Sequence, residues 1–390
     1  MKIPWIILSV LGPIEVLSLA PLAEAATPVE MRQVEVPVRF VDYRFAVQRG
    51  DNGVPRFDWE RFRSRPEQIV SETWQGIELE NTELKVVIIP GMGRVHSLVH
   101  KPTNKEQLWI NRCARPLPAH NDTGYWMTWG GIERVLPRGE HGTTHALVWE
   151  HELTVDDESQ KSIRCQVTEP LTGLRHALQM TLFADRPYLE TRILVENSGE
   201  TAVRYSQWTT AVWAPGGEGE LLPETELIVP ADHFIPDDRP FNAWMQQFEL
   251  GARSSPLRWL KQWSSTGDLM TSPLWHPYYA IYAHDANQGV VHMFDLDATP
   301  TVDVWCWGYP ATAKHQGDFT ACPPNRGYVE VWNGNVANFR DESLATLLPG
   351  ARLQWVEQTF CVSGLLGQAA DLRKAIDQLA ARHRGRPAGR

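Results

Sequence analysis

From about residue 33 to residue 362 the chain is written in period two, and that alternation limits what it can fold into more than any other feature. Leu189, Thr191, Ile193 and Val195 fall on one face of the run Tyr188 to Glu196, and Leu174, His176, Leu178, Met180 and Leu182 make a second such face. Extended backbone turns successive side chains to opposite faces, so each run has one face to bury and one left over. Leu84 to Ile89 is a β-branched run closed by Pro90-Gly91, and Asn197-Ser198-Gly199, Pro215-Gly216-Gly217 and Pro349-Gly350 punctuate later runs. Helical spacing is scarce until Gln368 to Arg382, where Leu372, Ile376 and Leu379 share a face. The expectation is an all-β protein, a large antiparallel two-sheet sandwich with a short C-terminal helix. No Ser/Gly-rich or charged linker divides the middle, so residues 26–365 read as one domain, followed over 366–390 by the helix and a basic, disordered tail.

At the N-terminus Lys2 precedes an uncharged run from Ile3 to Ile14, then Ala23-Glu24-Ala25 with the small-x-small shape of a signal peptidase site. The run is too short to span a bilayer and fits an export signal over residues 1–25. The expected mature chain is therefore exported, periplasmic or extracellular, with no membrane association once the signal is removed. The formal charge of −10, with no basic block before the tail, excludes the concentrated positive footprint that nucleic acid needs. Cys113, Cys165, Cys306, Cys322 and Cys361 form no CxxC or Cys/His cluster, which argues against structural zinc. In an exported protein Cys306 and Cys322 are candidates to bridge across Gly308, Tyr309 and Pro310; the alternative is five buried thiols. The 17 tryptophans suit a large sandwich core or a site that stacks on flat, partly apolar ligands such as sugar rings.

Several strings then occur in order over about residues 75–362. They are Asn81 to Leu98 with its Pro-Gly-Met-Gly-Arg turn, Lys105 to Trp109, Gly130-Gly-Ile-Glu-Arg-Val-Leu-Pro-Arg-Gly-Glu-His-Gly142, Tyr279 to Asp285, Gly289 to His292, Trp305-Cys-Trp-Gly308, Gly327-Tyr-Val-Glu-Val-Trp-Asn-Gly334 and Leu348-Pro-Gly350 to Trp355. The ordered set resembles the galactose mutarotase-like superfamily, and its second half the DUF5107 branch. The resemblance implies a supersandwich with a carbohydrate groove on one concave face. It does not settle activity, because the superfamily includes epimerases, hydrolase and lyase domains and non-catalytic modules.

In the strand Tyr328-Val-Glu-Val-Trp332, alternation places Tyr328, Glu330 and Trp332 on one face. An aromatic, acidic, aromatic row is costly in a dry core and natural for a sugar platform. By resemblance Glu330 takes the position of the base, and His141 that of a sugar-contacting histidine before glycine. Mutarotation needs a base for the anomeric hydroxyl and an acid for the ring oxygen, roles suited to a carboxylate and a histidine on opposite sides of the sugar. Aldose epimerases carry their acid histidine just after a strand that corresponds here to Tyr205 to Trp213, which contains none. The acid role therefore falls to His141, with His276 of Trp275-His-Pro as the other candidate. Glu133 and Arg134 precede His141, and Trp129, Trp208, Trp307 and Trp332 lie in or beside the resembling segments. With His276 they make the expected substrate-binding set for a carbohydrate. His145 and His151 have irregular spacing for a metal, and no nucleotide loop, GxSxG, HExxH or EF-hand string occurs, so neither cofactor nor metal is expected. Three other readings stay open: glycoside hydrolysis by Glu330 with Glu133, uronate β-elimination with His276 or Tyr278 as base and Arg134 neutralising the carboxylate, and an exported binding module whose Trp-lined groove only holds the glycan.

Overall fold

The period-two runs form the strands of two antiparallel sheets. The computed structural model describes residues 27–50, 52–309, 319–322, 327–336, 344–367 and 372–384. The larger sheet has eleven strands, and its central order is Arg94–His100, Ile132–Val135, Trp208–Trp213, Val329–Gly334, Thr301–Cys306 and Gly267–Thr271. The other sheet has eight, with Tyr188–Glu196, Arg352–Ser363 and Gln288–Met293 at its middle. Consecutive hairpins build one side of each sheet, while distant segments of the chain close the other.

Alternation decides what each face carries. In the larger sheet Val331 lies opposite Ala211 and Val304, and these side chains point inward with Leu269, Val302 and Val329. They meet Ile163, Met180, Ile193, Ile281 and Val290 of the second sheet in one buried cluster. Each fully buried aliphatic side chain contributes about 1.5–3 kcal/mol, so this interface is the main source of cohesion. The residues between them, Asp303, Trp305, Glu330 and Trp332, are turned to the outer face of the same sheet.

The outer face of the eight-stranded sheet is covered by the helix Leu372–Arg384, whose Ile376 and Ala380 are buried against Tyr188, Tyr278, Val291 and Phe360. The Tyr278 hydroxyl donates to the Asp377 carboxylate at 2.5 Å. The expected helical face is thus the one that packs; residues 368–371, at its expected start, lie outside the described residues, as do the export signal and the tail beyond 384. A short helix at Trp59–Arg63 has too few residues to show a period, and is marked only by Asp58, which caps it by accepting from the Arg61 amide at 2.9 Å. Among the described residues no helix is long and apolar enough to cross a membrane.

The candidate Cys306–Cys322 bridge does not form; as in the alternative reading all five cysteines are free thiols, four of them buried and Cys322 half-buried. Alternation sends Cys306 into the core beside Val302 and Val304. Cys322 instead sits by Cys113, where the Ala321 amide donates to the Cys113 carbonyl at 3.0 Å and the neighbouring Cys322 reinforces the rise that burial gives the Cys113 thiol, to about 12.

Candidate active site

A cavity of about 700 Å³ opens on the outer face of the eleven-stranded sheet. Its floor is a grid of alternate residues from three neighbouring strands: Asp268 and Met270, Asp303 and Trp305, Glu330 and Trp332. Trp305 lies opposite Glu330 on one side and Asp268 on the other, while Asp303 lies opposite Trp332 and Met270. Trp126, Trp307 and the loop carrying His141 rise around it.

His141 is placed by its backbone. Its φ of 59° is in the left-handed region, where a residue with a Cβ is held at a cost on the order of 1–3 kcal/mol. Gly142 follows at φ 57°, and a Cβ there would stand 2.3 Å from the Leu136 carbonyl oxygen, so the His-Gly pair needs its glycine. The loop is closed by the Thr143 amide donating to that same carbonyl at 2.9 Å. The imidazole then stacks on Trp126, ring centres 3.9 Å apart and planes 11° off parallel, with the Trp332 ring at 4.7 Å.

The imidazole joins two carboxyl groups. Nδ1 donates to Glu133 at 2.5 Å, and Nε2 faces Glu330 Oε1 at 4.0 Å. The other Glu133 oxygen receives Arg94, which also donates to the Gly130 carbonyl. Burial alone would raise Glu133, but Arg94 and His141 outweigh it and hold the carboxyl at about 2. Burial likewise disfavours the His141 cation, yet Glu133 prevails and raises it above an ordinary histidine. At Glu330 burial prevails, lifting the carboxyl to about 8 against the pull of His141, and its Oε1 accepts no hydrogen bond among the described residues.

The structure thus brings Glu330, His141, Trp307 and Trp332 to one cavity, and changes the roles of the other expected residues. Glu133 stands behind His141, committed to it and Arg94, and does not line the cavity. Arg134, the next residue along the strand, points to the opposite face and pairs there with Glu357, which also accepts from Thr209 at 2.8 Å and Asn333 at 3.0 Å. An interior guanidinium spent on Glu357 is not available to a substrate carboxylate. Trp208 is fully buried as a buttress: its ring lies so close over Gly334 that a Cβ there would be 2.2 Å away, and it meets Trp332 edge-on at 6.2 Å. Trp129 packs between Phe40 and Trp74 and lines other cavities, one of which, about 760 Å³, also takes His145 and His151. His276 precedes a strand of the second sheet, stacked near Tyr278, whose hydroxyl is held by Asp377; neither lines the Glu330 cavity. Glu330 and His141 are also neighbours, Nε2 and Oε1 4.0 Å apart, instead of facing each other from opposite sides of the cavity.

Asp303, Asp268, Arg239 and Arg94 were not singled out by sequence. Asp303 was within reach, since Asp303 and Trp305 repeat the acid and aromatic alternation of Glu330 and Trp332 on the adjacent strand. Arg239 comes from an irregular segment with no period to reveal it; its Nε donates to Asp237 at 2.7 Å, and it pairs with Asp268 as well.

A family model described as a domain of unknown function, DUF5107, matches residues 51–360. Among solved structures, a TPR-domain containing protein from Parabacteroides distasonis superposes with a TM-score of 0.68 at 19% identity, covering 94% of this chain and 58% of that one. This chain therefore spans less than two thirds of that protein. A protein from a Synechocystis species matches with a TM-score of 0.54 at 14% identity, over 74% of this chain and 96% of its own. A galactose mutarotase-like protein from Clostridium acetobutylicum gives 0.53 at 12% identity, over 75% and 96%. At these identities the likeness is one of fold, and the fold is the galactose mutarotase-like β-sandwich. With its family model matched over most of its length, the chain belongs to the DUF5107 family.

Proposed function

We propose that the cavity binds a carbohydrate and that Glu330 and His141 carry out acid–base chemistry at its anomeric centre. The observation that carries this reading is the line Glu133, His141, Glu330, which ends in a carboxyl oxygen without a hydrogen-bond partner among the described residues, inside a cavity lined by Trp126, Trp305, Trp307 and Trp332. Indole faces match the apolar faces of a pyranose, and the carboxyl and imidazole reach its oxygens. The two oxygens that must exchange protons are bonded to the same carbon, so adjacent partners 4.0 Å apart serve as well as opposed ones. Ionised Glu330 takes the anomeric hydroxyl proton while His141, protonated and steadied by Glu133, gives one to the ring oxygen. The C1–O5 bond breaks, the carbonyl forms, and reclosure on the other face reverses both transfers. A carboxyl near 8 is well matched to this work, because efficient proton transfer needs a group that both gains and loses a proton near the working pH.

Polarimetry or NMR of several aldoses, with wild type and Glu330→Gln, tests the reading. The expected result is faster equilibration of at least one sugar by wild type, with a rising limb toward pH 8, and a loss of about 10²-fold or more in Glu330→Gln. Equal rates for wild type and variant with every sugar would end the catalytic part. Sugar binding without turnover, lost on Trp332→Ala, would leave a binding module.

A further inference from the structure

The floor of the cavity carries more acid than the proton relay uses. Asp303 and Asp268 are each 5% exposed, both line the cavity, and each keeps one carboxyl oxygen, Oδ1, with no hydrogen-bond partner among the described residues. Their places follow from register: Asp268 and Glu330 flank Trp305 in one row, and Asp303 sits diagonally from both in the next. Diagonal neighbours on one face are roughly 7–8 Å apart, a span that a single sugar ring can bridge. Arg239, the guanidinium that lines this part of the cavity, is already engaged by Asp237 and Asp268. Glu140 and Asp237 add further carboxyl groups to the lining.

A buried carboxyl oxygen without a donor is unfavourable, and a ligand that supplies the donor removes the penalty. Hydroxyl groups do so, whereas a phosphate or carboxylate brings further negative charge beside the Asp268 and Asp237 carboxylates, where Arg239 is already committed to both. We propose that Asp303 and Asp268 form a specificity subsite that takes hydroxyl groups of an uncharged sugar and turns away sugars bearing phosphate or carboxylate. The proposal rests on the carbohydrate reading of this cavity. Burial raises Asp303 to about 7 against the pull of Arg239, so near neutral pH its carboxyl offers a hydroxyl either a donor or an acceptor.

Calorimetric or tryptophan-fluorescence titration with glucose, galactose and mannose, each beside its 6-phosphate and its uronic acid, tests it. In wild type the uncharged member of a pair should bind and its anionic partners should bind at least about tenfold more weakly. Asp303→Asn should weaken the uncharged sugar by about tenfold, the scale of a hydrogen bond to a charged group. Asp268→Asn, which releases Arg239, should narrow the gap between uncharged and anionic sugars. An anionic sugar that binds wild type as tightly as its uncharged counterpart overturns the subsite and leaves the carbohydrate reading standing. Failure of all nine sugars to bind overturns both. The wild-type comparison is decisive even if a variant does not fold.

Discussion

Glu330 is a carboxyl group that burial keeps protonated until the pH approaches about 8. Its folded value of about 8 lies above the 4.5 of the free group. The unfolded chain therefore binds fewer protons than the native one between those values, and stability falls as pH rises from about 4.5 to about 8. Glu330→Gln keeps the shape and removes the titration. Its stability by urea denaturation should exceed that of wild type by an amount that is small at pH 4.5 and grows to a few kcal/mol at pH 8. A constant difference across that range would show that Glu330 is ionised in the folded protein. The alternation of Glu330 and Trp332 is legible because the one strand Val329–Gly334 carries both; Tyr328, expected in the same row, precedes that strand and is buried against Trp109 and Phe319, outside the cavity lining. That His141 reaches Glu330 is not derivable from spacing, since a left-handed loop brings the histidine to a strand from a distant part of the chain.

Single strands were readable and their neighbours were not. Glu133 and Arg134 are adjacent in sequence and both belong to the expected substrate-binding set, yet a strand sends them to opposite faces, one to the cavity side and one to the space between the sheets. Tyr188–Glu196 and Leu84–Ile89 form where alternation and β-branching place them. The pairing of Val329–Gly334 with Trp208–Trp213 joins segments far apart in the chain, which local pattern cannot choose between. Burial would raise Glu357, but Arg134, with His292 and Thr209, outweighs it and keeps the carboxylate ionised. Arg134 is in this way a strut between the sheets. Arg134→Ala should cost about 3–5 kcal/mol, because it leaves Glu357 buried without its cation. Chemical denaturation measures the loss, and any sugar affinity retained by the folded fraction should match wild type. A drop in affinity with stability unchanged would return Arg134 to the substrate.

At the scale of the molecule, the two sheets spend their facing surfaces on each other and their outer surfaces on different tasks, one covered by the Leu372–Arg384 helix and one hollowed into the cavity. The segment before residue 27 lies outside the described residues. Export is our proposal for it, and expression of the full chain in a bacterial host should yield a mature protein beginning at Ala26, read by N-terminal sequencing or intact mass. Retention of Met1 in the secreted or periplasmic fraction would refute it. The alternation in the cavity floor also separates two kinds of mutational freedom. Positions 268, 270, 303, 305, 330 and 332 face the ligand side, while 269, 302, 304, 329 and 331, woven between them, hold the sandwich together. A library confined to the first set can search for new ligands with the core left as it is, so this sheet is a surface on which specificity can diverge faster than stability is lost.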